Sequence, residues 1–158
     1  MSNQIKAEEK LTQSLKLLGV EPSIASFAER KRMQKITYLL EQFGVNLGFD
    51  FDWYLHGPYS TTLTRVLYKK DPQDLDRLVP NKSDDIKKIE NLKKFLGSDI
   101  KSSNTLELIV SLHYLMTLGK SVKKSDEEIL KLFLKLKPFF SEDESRYYLK
   151  RIKETFNL

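Results

Sequence analysis

Apolar residues recur every three to four positions over most of the chain, which is the spacing of one buried face of an α-helix. The segments with this spacing are residues 4–18, 27–43, 84–96, 126–137 and 142–156. Residues 105–118 differ because apolar side chains surround nearly the whole helix axis, which is typical of a central, buried helix. The pattern therefore predicts a mainly α-helical protein.

Residues typical of helix caps lie at the ends of these segments. Four pairs place a serine or asparagine three residues before a glutamate that can bond back to the cap: Ser26 and Glu29, Asn104 and Glu107, Ser125 and Glu128, and Ser141 and Glu144. Residues that commonly follow a helix end are Gly19, Gly44, Gly97, Gly119 and Pro138. Together they predict where the helices begin and end.

Residues 49–55 alternate between apolar and polar side chains and are rich in aromatic residues, which predicts a short, half-buried strand. The candidate pairing partner is residues 75–80, with Leu75, Leu78 and Val79. Residues 70–83 are rich in Asp, Pro, Asn and Lys, as in a surface loop or the wing of a winged-helix unit. We predict a single compact multi-helix domain over residues 1–158, with helix-turn-helix or winged-helix character and one short β-strand or hairpin.

Composition narrows the class of protein. The 158 residues include no cysteine, which excludes disulfides, thiolate zinc sites and a cysteine nucleophile. No apolar run approaches the ~18 residues of a membrane span, so no membrane role is expected. Residues 1–10 lack the apolar segment of a signal peptide, and a cytoplasmic location is therefore expected.

The net charge of +5 is unevenly distributed, with +4 in residues 30–70 and +3 in residues 101–158. On the helix from Phe27, a polar stripe is predicted opposite the core: Lys31, Gln34, Lys35, Tyr38 and Gln42, flanked by Arg30 and Arg32. Such a stripe has the composition of a helix that docks on DNA or on an acidic protein surface. The alternative is an ordinary solvated face.

The segment His-Gly-Pro-Tyr-Ser at residues 56–60 is predicted to form a rigid turn. Gly57 permits dihedral angles that other residues avoid, Pro58 restricts its own, and Ser60 can cap the helix that follows. These roles leave His56 and Tyr59 unexplained, and an exposed pair on a rigid turn would contact a partner. The alternative for Tyr59 is packing against the strand.

Candidate catalytic chemistry is sparse. Asp50 and Asp52 share one side of the predicted strand with His56 beyond them, but three residues are too few for a metal or acid-base site. His113 lies on the helix predicted to be buried, where a core histidine is the commoner outcome. The lysines near residues 120–124 and the basic residues of the last helix have the pattern of solvated surface. We therefore expect no enzyme activity, no cofactor and no metal.

Two blocks of sequence show a family resemblance: residues 30–40, Arg-Lys-Arg-Met-Gln-Lys-Ile-Thr-Tyr-Leu-Leu, and residues 48–60, Gly-Phe-Asp-Phe-Asp-Trp-Tyr-Leu-His-Gly-Pro-Tyr-Ser. They resemble the YwgA-like proteins, relatives of the Panacea antitoxin domain of SocA and GepA type, in which a similar helix precedes a Tyr-x-x-Gly-Pro turn. Residues 106–115 extend the resemblance. It implies a compact helical fold with helix-turn-helix character, no known catalysis, and a regulatory role in binding toxins or acting as a proteolytic adaptor.

Two functional hypotheses follow. The first is a non-catalytic regulatory binding module of antitoxin or adaptor type, whose partner is a toxin-like protein or the product of a neighbouring gene. The second is a winged-helix transcriptional regulator that binds double-stranded DNA through the stripe that includes Lys31 and Lys35. Pattern alone leaves open whether the protein is a monomer or a homodimer.

Overall fold

The computed structural model describes residues 3–69 and 83–158, and this part of the chain is mainly helical with one short antiparallel hairpin, which confirms the predicted fold class. In chain order, the elements are α1 (Asn3–Leu17), α2 (Phe27–Gln42), β1 (Asp52–Tyr54), β2 (Gly57–Tyr59), α3 (Thr61–Lys69), α4 (Ser83–Leu96), a 3-10 helix (Gly97–Lys101), α5 (Ser103–Ser121), α6 (Asp126–Leu136) and α7 (Glu142–Phe156). None of these helices is both long enough and apolar enough to cross a membrane.

The chain divides into two compact units, Met1–Ser103 and Asn104–Leu158. In the first unit, α2 contacts both α4 and β2, while α1 packs on α4. Its core contains fully buried residues from each of the helices α1 to α4: Leu11, Leu15, Met33, Ile36, Leu39, Leu40, Leu63, Ile89 and Leu92. The helix α2 is therefore the element around which this unit is built.

The helices α1 and α2 end at the glycines predicted to follow them. Gly19 and Gly44 have φ angles of +75° and +98°, in the left-handed region that glycine adopts without a steric penalty. The amide of the next residue then bonds back into the helix, from Val20 to Leu15 and from Val45 to Leu40, each at 2.9 Å. This is the hydrogen-bond pattern of the Schellman motif. At the start of α2, the Ser26 hydroxyl accepts from the Glu29 amide at 3.1 Å, as predicted.

The strand is shorter than predicted, and among the described residues it pairs with a second short strand. Residues 52–54 pair with residues 57–59, in the register Asp52 to Tyr59, Trp53 to Pro58 and Tyr54 to Gly57. The proposed partner, residues 75–80, lies outside the described residues, as does most of the predicted loop or wing at 70–83. Residues 49–51 are not in a strand. Just before β1, the amides of Leu47 and Phe49 donate to the Glu41 carboxylate, at 2.8 and 3.4 Å. Burial raises the pKa of Glu41, and these amide bonds oppose that increase.

The second unit is organised around α5, and the prediction of a buried helix is confirmed. Residues that are fully buried on this helix include Leu106, Leu108, Ile109, Val110 and Leu112. Ile129 and Phe133 of α6 and Ile152 of α7 are also buried, whereas Leu132 and Leu136 of α6 are exposed. The predicted caps at Ser125 and Ser141 are both present, and Ser125 with Glu128 forms the full capping box.

Two predicted helix boundaries on α5 are wrong. The helix begins at Ser103, so Asn104 lies inside its first turn, and Glu107 instead forms a buried ion pair with Lys137. Gly119 lies inside the helix, where an added Cβ would be 2.8 Å from Cδ1 of Ile129. This glycine therefore permits close packing of α6, and Lys123, with a φ of +58°, occupies the left-handed position after the helix.

The stability of the second unit is expected to depend on the protonation of His113. This residue is buried and meets the ring of Phe156 edge-on, with ring centroids 4.4 Å apart. Burial lowers the pKa of His113 from 6.5 to about 4, because the charged imidazolium is desolvated. The unfolded state then binds more protons between these two pH values, so the stability present above pH 6.5 is lost as the pH falls to 4. The loss expected from this residue is about 3 kcal/mol.

Urea denaturation followed by circular dichroism between pH 7 and pH 4 measures this effect. The variant His113→Phe removes the titrating group and keeps an aromatic ring beside Phe156, so its free energy of unfolding should decline less steeply with acid. Identical pH dependence in the two proteins would show that His113 is not the group responsible.

Candidate partner-binding groove

A groove of about 320 Å³ lies in the first unit, between the first half of α2, the hairpin and α3. Its lining residues are Ile24, Phe27, Arg30, Lys31, Gln34, Lys35, Tyr54, Leu55, His56, Gly57, Tyr59, Thr64, Leu67 and Tyr68. Of the nine residues named for the predicted stripe, its flanks and the candidate contacts of the turn, six line the groove, and Arg32, Tyr38 and Gln42 do not. The groove thus brings residues of α2 together with residues of the turn at 56–60.

Most of the polar stripe predicted on α2 is buried, so α2 does not present it to solvent as a continuous surface. Gln34, Lys35 and Tyr38 are only 3%, 1% and 3% exposed, because the hairpin and the residues before it cover this side of the helix. The ring of Phe51, for example, meets Tyr38 edge-on at 5.3 Å. Lys31 keeps partial exposure and Gln42 is exposed. Arg32 is also partly exposed, and its Nε donates to the Ile100 carbonyl at 3.0 Å.

The buried polar residues of α2 instead hold the hairpin and the start of α3. Gln34 accepts from the Ser60 amide at 2.9 Å and donates to the Ser60 carbonyl at 3.0 Å and to the Thr64 hydroxyl at 2.8 Å. Lys35 Nζ donates to the Pro58 carbonyl at 2.7 Å. Proline has no amide hydrogen, so this carbonyl is the only backbone polar group that Pro58 presents to α2. Gln34 and Lys35 are therefore positioning residues that build one wall of the groove.

The turn at residues 56–60 forms as predicted from Gly57 and Ser60. Gly57 has a φ of +90°, and the Ser60 hydroxyl accepts from the Leu63 amide at 3.2 Å, which caps α3 as predicted. Tyr59 packs edge-on against Tyr54 of β1 at 5.3 Å, the packing alternative, and its hydroxyl accepts from Thr64 at 2.5 Å. His56 is not free on the surface either, since its ring meets Phe27 edge-on at 4.9 Å.

Large apolar side chains remain exposed around the groove. Leu55, at the tip of the hairpin, is 86% exposed, while Tyr68, Phe27 and Tyr54 are 59%, 53% and 47% exposed. The alternating pattern had placed Leu55 on the buried side of a strand, and that prediction is wrong because the chain turns at this residue. Four such residues around one concave surface are typical of a site that binds another molecule.

The charges around the groove have one sign. Arg30, Lys31 and Lys35 line it, and none of its described lining residues is acidic. Lys31 Nζ lies 5.9 Å from the centroid of the Phe27 ring. Arg30 Nη1 donates to the Ile24 carbonyl at 3.1 Å, and this guanidinium forms no ion pair within residues 3–69 and 83–158. The groove therefore favours an anionic group.

The acidic residues and the histidine weighed for an acid-base or metal site do not come together. Asp50 and Asp52 are exposed, and His56 packs on Phe27 instead of joining them. No three His, Asp or Glu side chains of the described chain come together as ligands for a metal ion. Several basic residues near the end of the chain belong to exposed ion pairs, such as Lys153 with Asp126 at 2.6 Å.

Sequence reasoning missed Ile24, Phe27, Tyr54, Leu55, Thr64, Leu67 and Tyr68 as lining residues. The amphipathic pattern of α3 was an available signal for one of them. Leu63 and Leu67 lie on the apolar face of this helix, whereas Tyr68 lies on the opposite, polar face and is exposed.

Comparison with known proteins gives no relative for this chain: no protein-family model, no curated protein and no solved structure matches it. The resemblance of residues 30–40 and 48–60 to the YwgA-like and Panacea proteins therefore stays a prediction.

Proposed function

We propose that the protein is a non-catalytic regulatory binding module of antitoxin or adaptor type that binds a partner protein in the cytoplasm through the groove between α2, the hairpin and α3. The observation that supports this proposal most directly is that four large apolar side chains around the groove are exposed: Phe27, Tyr54, Leu55 and Tyr68. Exposed aromatic residues beside an arginine are the residue types that contribute most to protein–protein binding energy. The family resemblance predicts the same class, with a toxin-like protein or a neighbouring-gene product as partner.

The buried state of Gln34, Lys35 and Tyr38 weakens the case for the DNA-binding alternative. That hypothesis relied on a helix face with several cations and hydrogen-bonding side chains able to reach phosphates. Three of the five stripe residues are inside the first unit, and Lys35 uses its ammonium group on the Pro58 carbonyl. An apolar groove with few exposed cations suits a protein segment better than a DNA backbone.

Affinity purification of the tagged protein from its native host, with and without nuclease, tests the proposal. Leu55→Asp is the informative variant, because a residue that is 86% exposed can be changed with little effect on folding. Leu118→Asp is its matched control, since it introduces the same charge at a residue that is 51% exposed in the second unit.

We expect a nuclease-resistant protein that is retained by the wild type and by Leu118→Asp, and whose recovery on Leu55→Asp falls about tenfold or more. Equal retention by Leu55→Asp would show that the partner does not use the groove. Specific DNA recovered without any such protein would favour the transcriptional regulator instead.

A further inference from the structure

We infer that the groove recognises a short segment of the partner in which one large apolar side chain lies next to a carboxylate. The inference rests on the proposed function and adds the chemical class of the ligand. The apolar side chain would be held among Phe27, Tyr54, Leu55 and Tyr68, and the carboxylate would pair with Arg30. Two observations support it independently, one from charge and one from size.

The charge observation concerns Arg30. Its guanidinium is partly buried and is held at the wall of the groove by the bond from Nη1 to the Ile24 carbonyl. A guanidinium has five N–H donors, so this bond leaves enough of them for a bidentate carboxylate. Among the described residues, no acidic side chain lines the groove or pairs with Arg30, whereas Lys31 adds a second positive charge beside it. The complementary ligand is therefore an anion.

The size observation limits the ligand to a short segment. A volume of about 320 Å³ is at the low end of the ~300–1,000 Å³ that small-ligand sites occupy. A volume of this size accommodates a large side chain and the backbone beside it. A peptide segment with one anchoring side chain fits these dimensions.

A single nucleic-acid strand is the competing anionic ligand with apolar faces. Such strands bind in grooves that combine stacking aromatic rings with a line of cations that follows the phosphates. Here the cations number three, and Lys35 is only 1% exposed. The aliphatic residues Ile24, Leu55 and Leu67 also form part of the lining, and they offer no stacking surface. These features favour the peptide.

Selection from a random peptide display library on the immobilised 158-residue protein tests the inference, with the Leu55→Asp protein used for counter-selection. We expect the enriched peptides to share a large apolar residue adjacent to Asp or Glu. For a selected peptide, replacing that acid by its amide should weaken binding about tenfold or more. The variant Arg30→Gln should weaken binding of the acidic peptide by a similar factor, yet bind the amide peptide as the wild type does.

Two further variants separate a specific pair from general electrostatics. Lys94→Gln removes one exposed charge of the same unit outside the groove and should leave peptide affinity unchanged. Arg30→Lys retains the charge without the planar fork and should fall between Arg30→Gln and the wild type.

Three outcomes would overturn the inference. These are enrichment of no peptide, equal weakening of the acidic and amide peptides by Arg30→Gln, and displacement of the peptide by a lower concentration of an oligothymidylate strand. The purification with Leu55→Asp distinguishes a failure of this inference from a failure of the proposed function. If a native partner still depends on Leu55, the proposed function stands and only the ligand class is wrong; if it does not, the proposed function fails as well.

Discussion

Replacing Lys137 with methionine is expected to lower the free energy of unfolding of the second unit by about 3–5 kcal/mol. Lys137 Nζ lies 2.9 Å from Oε2 of Glu107, and the two residues are only 3% and 1% exposed. Methionine preserves much of the side-chain length, so the loss comes from the Glu107 carboxylate, which stays buried without its cation. Water cannot compensate for that loss at so low an exposure.

Urea denaturation followed by circular dichroism measures this loss, and hydrogen exchange of α5 and α6 amides locates it. The double variant Glu107→Gln with Lys137→Met leaves no unpaired charge at this buried position, so it should be more stable than Lys137→Met alone. Lys153→Met is the matched control, because its ion pair with Asp126 is 2.6 Å long but about half exposed. It should change stability far less. A loss in Lys153→Met as large as that in Lys137→Met would contradict the role of burial.

Replacing Gln34 with alanine is expected to lower the free energy of unfolding of the first unit by about 3 kcal/mol. The substitution removes three hydrogen bonds of 2.8–3.0 Å and leaves the buried Ser60 amide without the acceptor that Gln34 provides. The Ser60 carbonyl keeps the Thr64 amide, at 3.2 Å, so the unsatisfied amide is the main cost. The residue also positions the hairpin, and its loss should loosen the groove.

Gln42→Ala provides the control for Gln34→Ala, because the same residue type lies on the same helix and Gln42 is exposed. Its effect should be roughly 0.5 kcal/mol or less. Fluorescence of Trp53, the single tryptophan of the chain, reports on the hairpin because this residue lies in β1. Faster hydrogen exchange at the Ser60 amide in Gln34→Ala should accompany the loss. Equal stability of the two variants would mean that the glutamine does not hold the hairpin.

The local sequence pattern was sufficient to locate most of the helices, with α5 as an exception. The predicted segments 27–43, 84–96 and 142–156 differ by one residue or less at each end from α2, α4 and α7. Ser26, Ser125 and Ser141 cap as predicted because a cap and its amide partner are three residues apart, and their bond depends on no distant element. The Schellman ends at Gly19 and Gly44 are local for the same reason.

The groove could not be predicted from pattern, because periodicity records which face of a helix is apolar but not what covers the opposite face. On α2 that opposite face is covered as well, so Gln34 and Lys35 are buried although they fall on its polar side. Their partners, Ser60 and Pro58, are 26 and 23 residues away in sequence. A side chain with several donors or acceptors looks the same in a sequence whether water or a buried backbone group satisfies it.

The sequence by itself determined α1, α2, α4, α6 and α7 to within one residue at each end, together with the caps at Ser26, Ser125 and Ser141 and the sharp turn at Gly57. Each of these depends on dihedral preferences and on bonds within a few residues. Only the tertiary structure decided that β1 pairs with β2, that Gln34 and Lys35 support this hairpin, and that Leu55 and Tyr68 remain exposed beside Arg30. The physical reason is that burial depends on which elements pack together. That packing satisfies buried backbone groups over long separations in the chain, which no local pattern records.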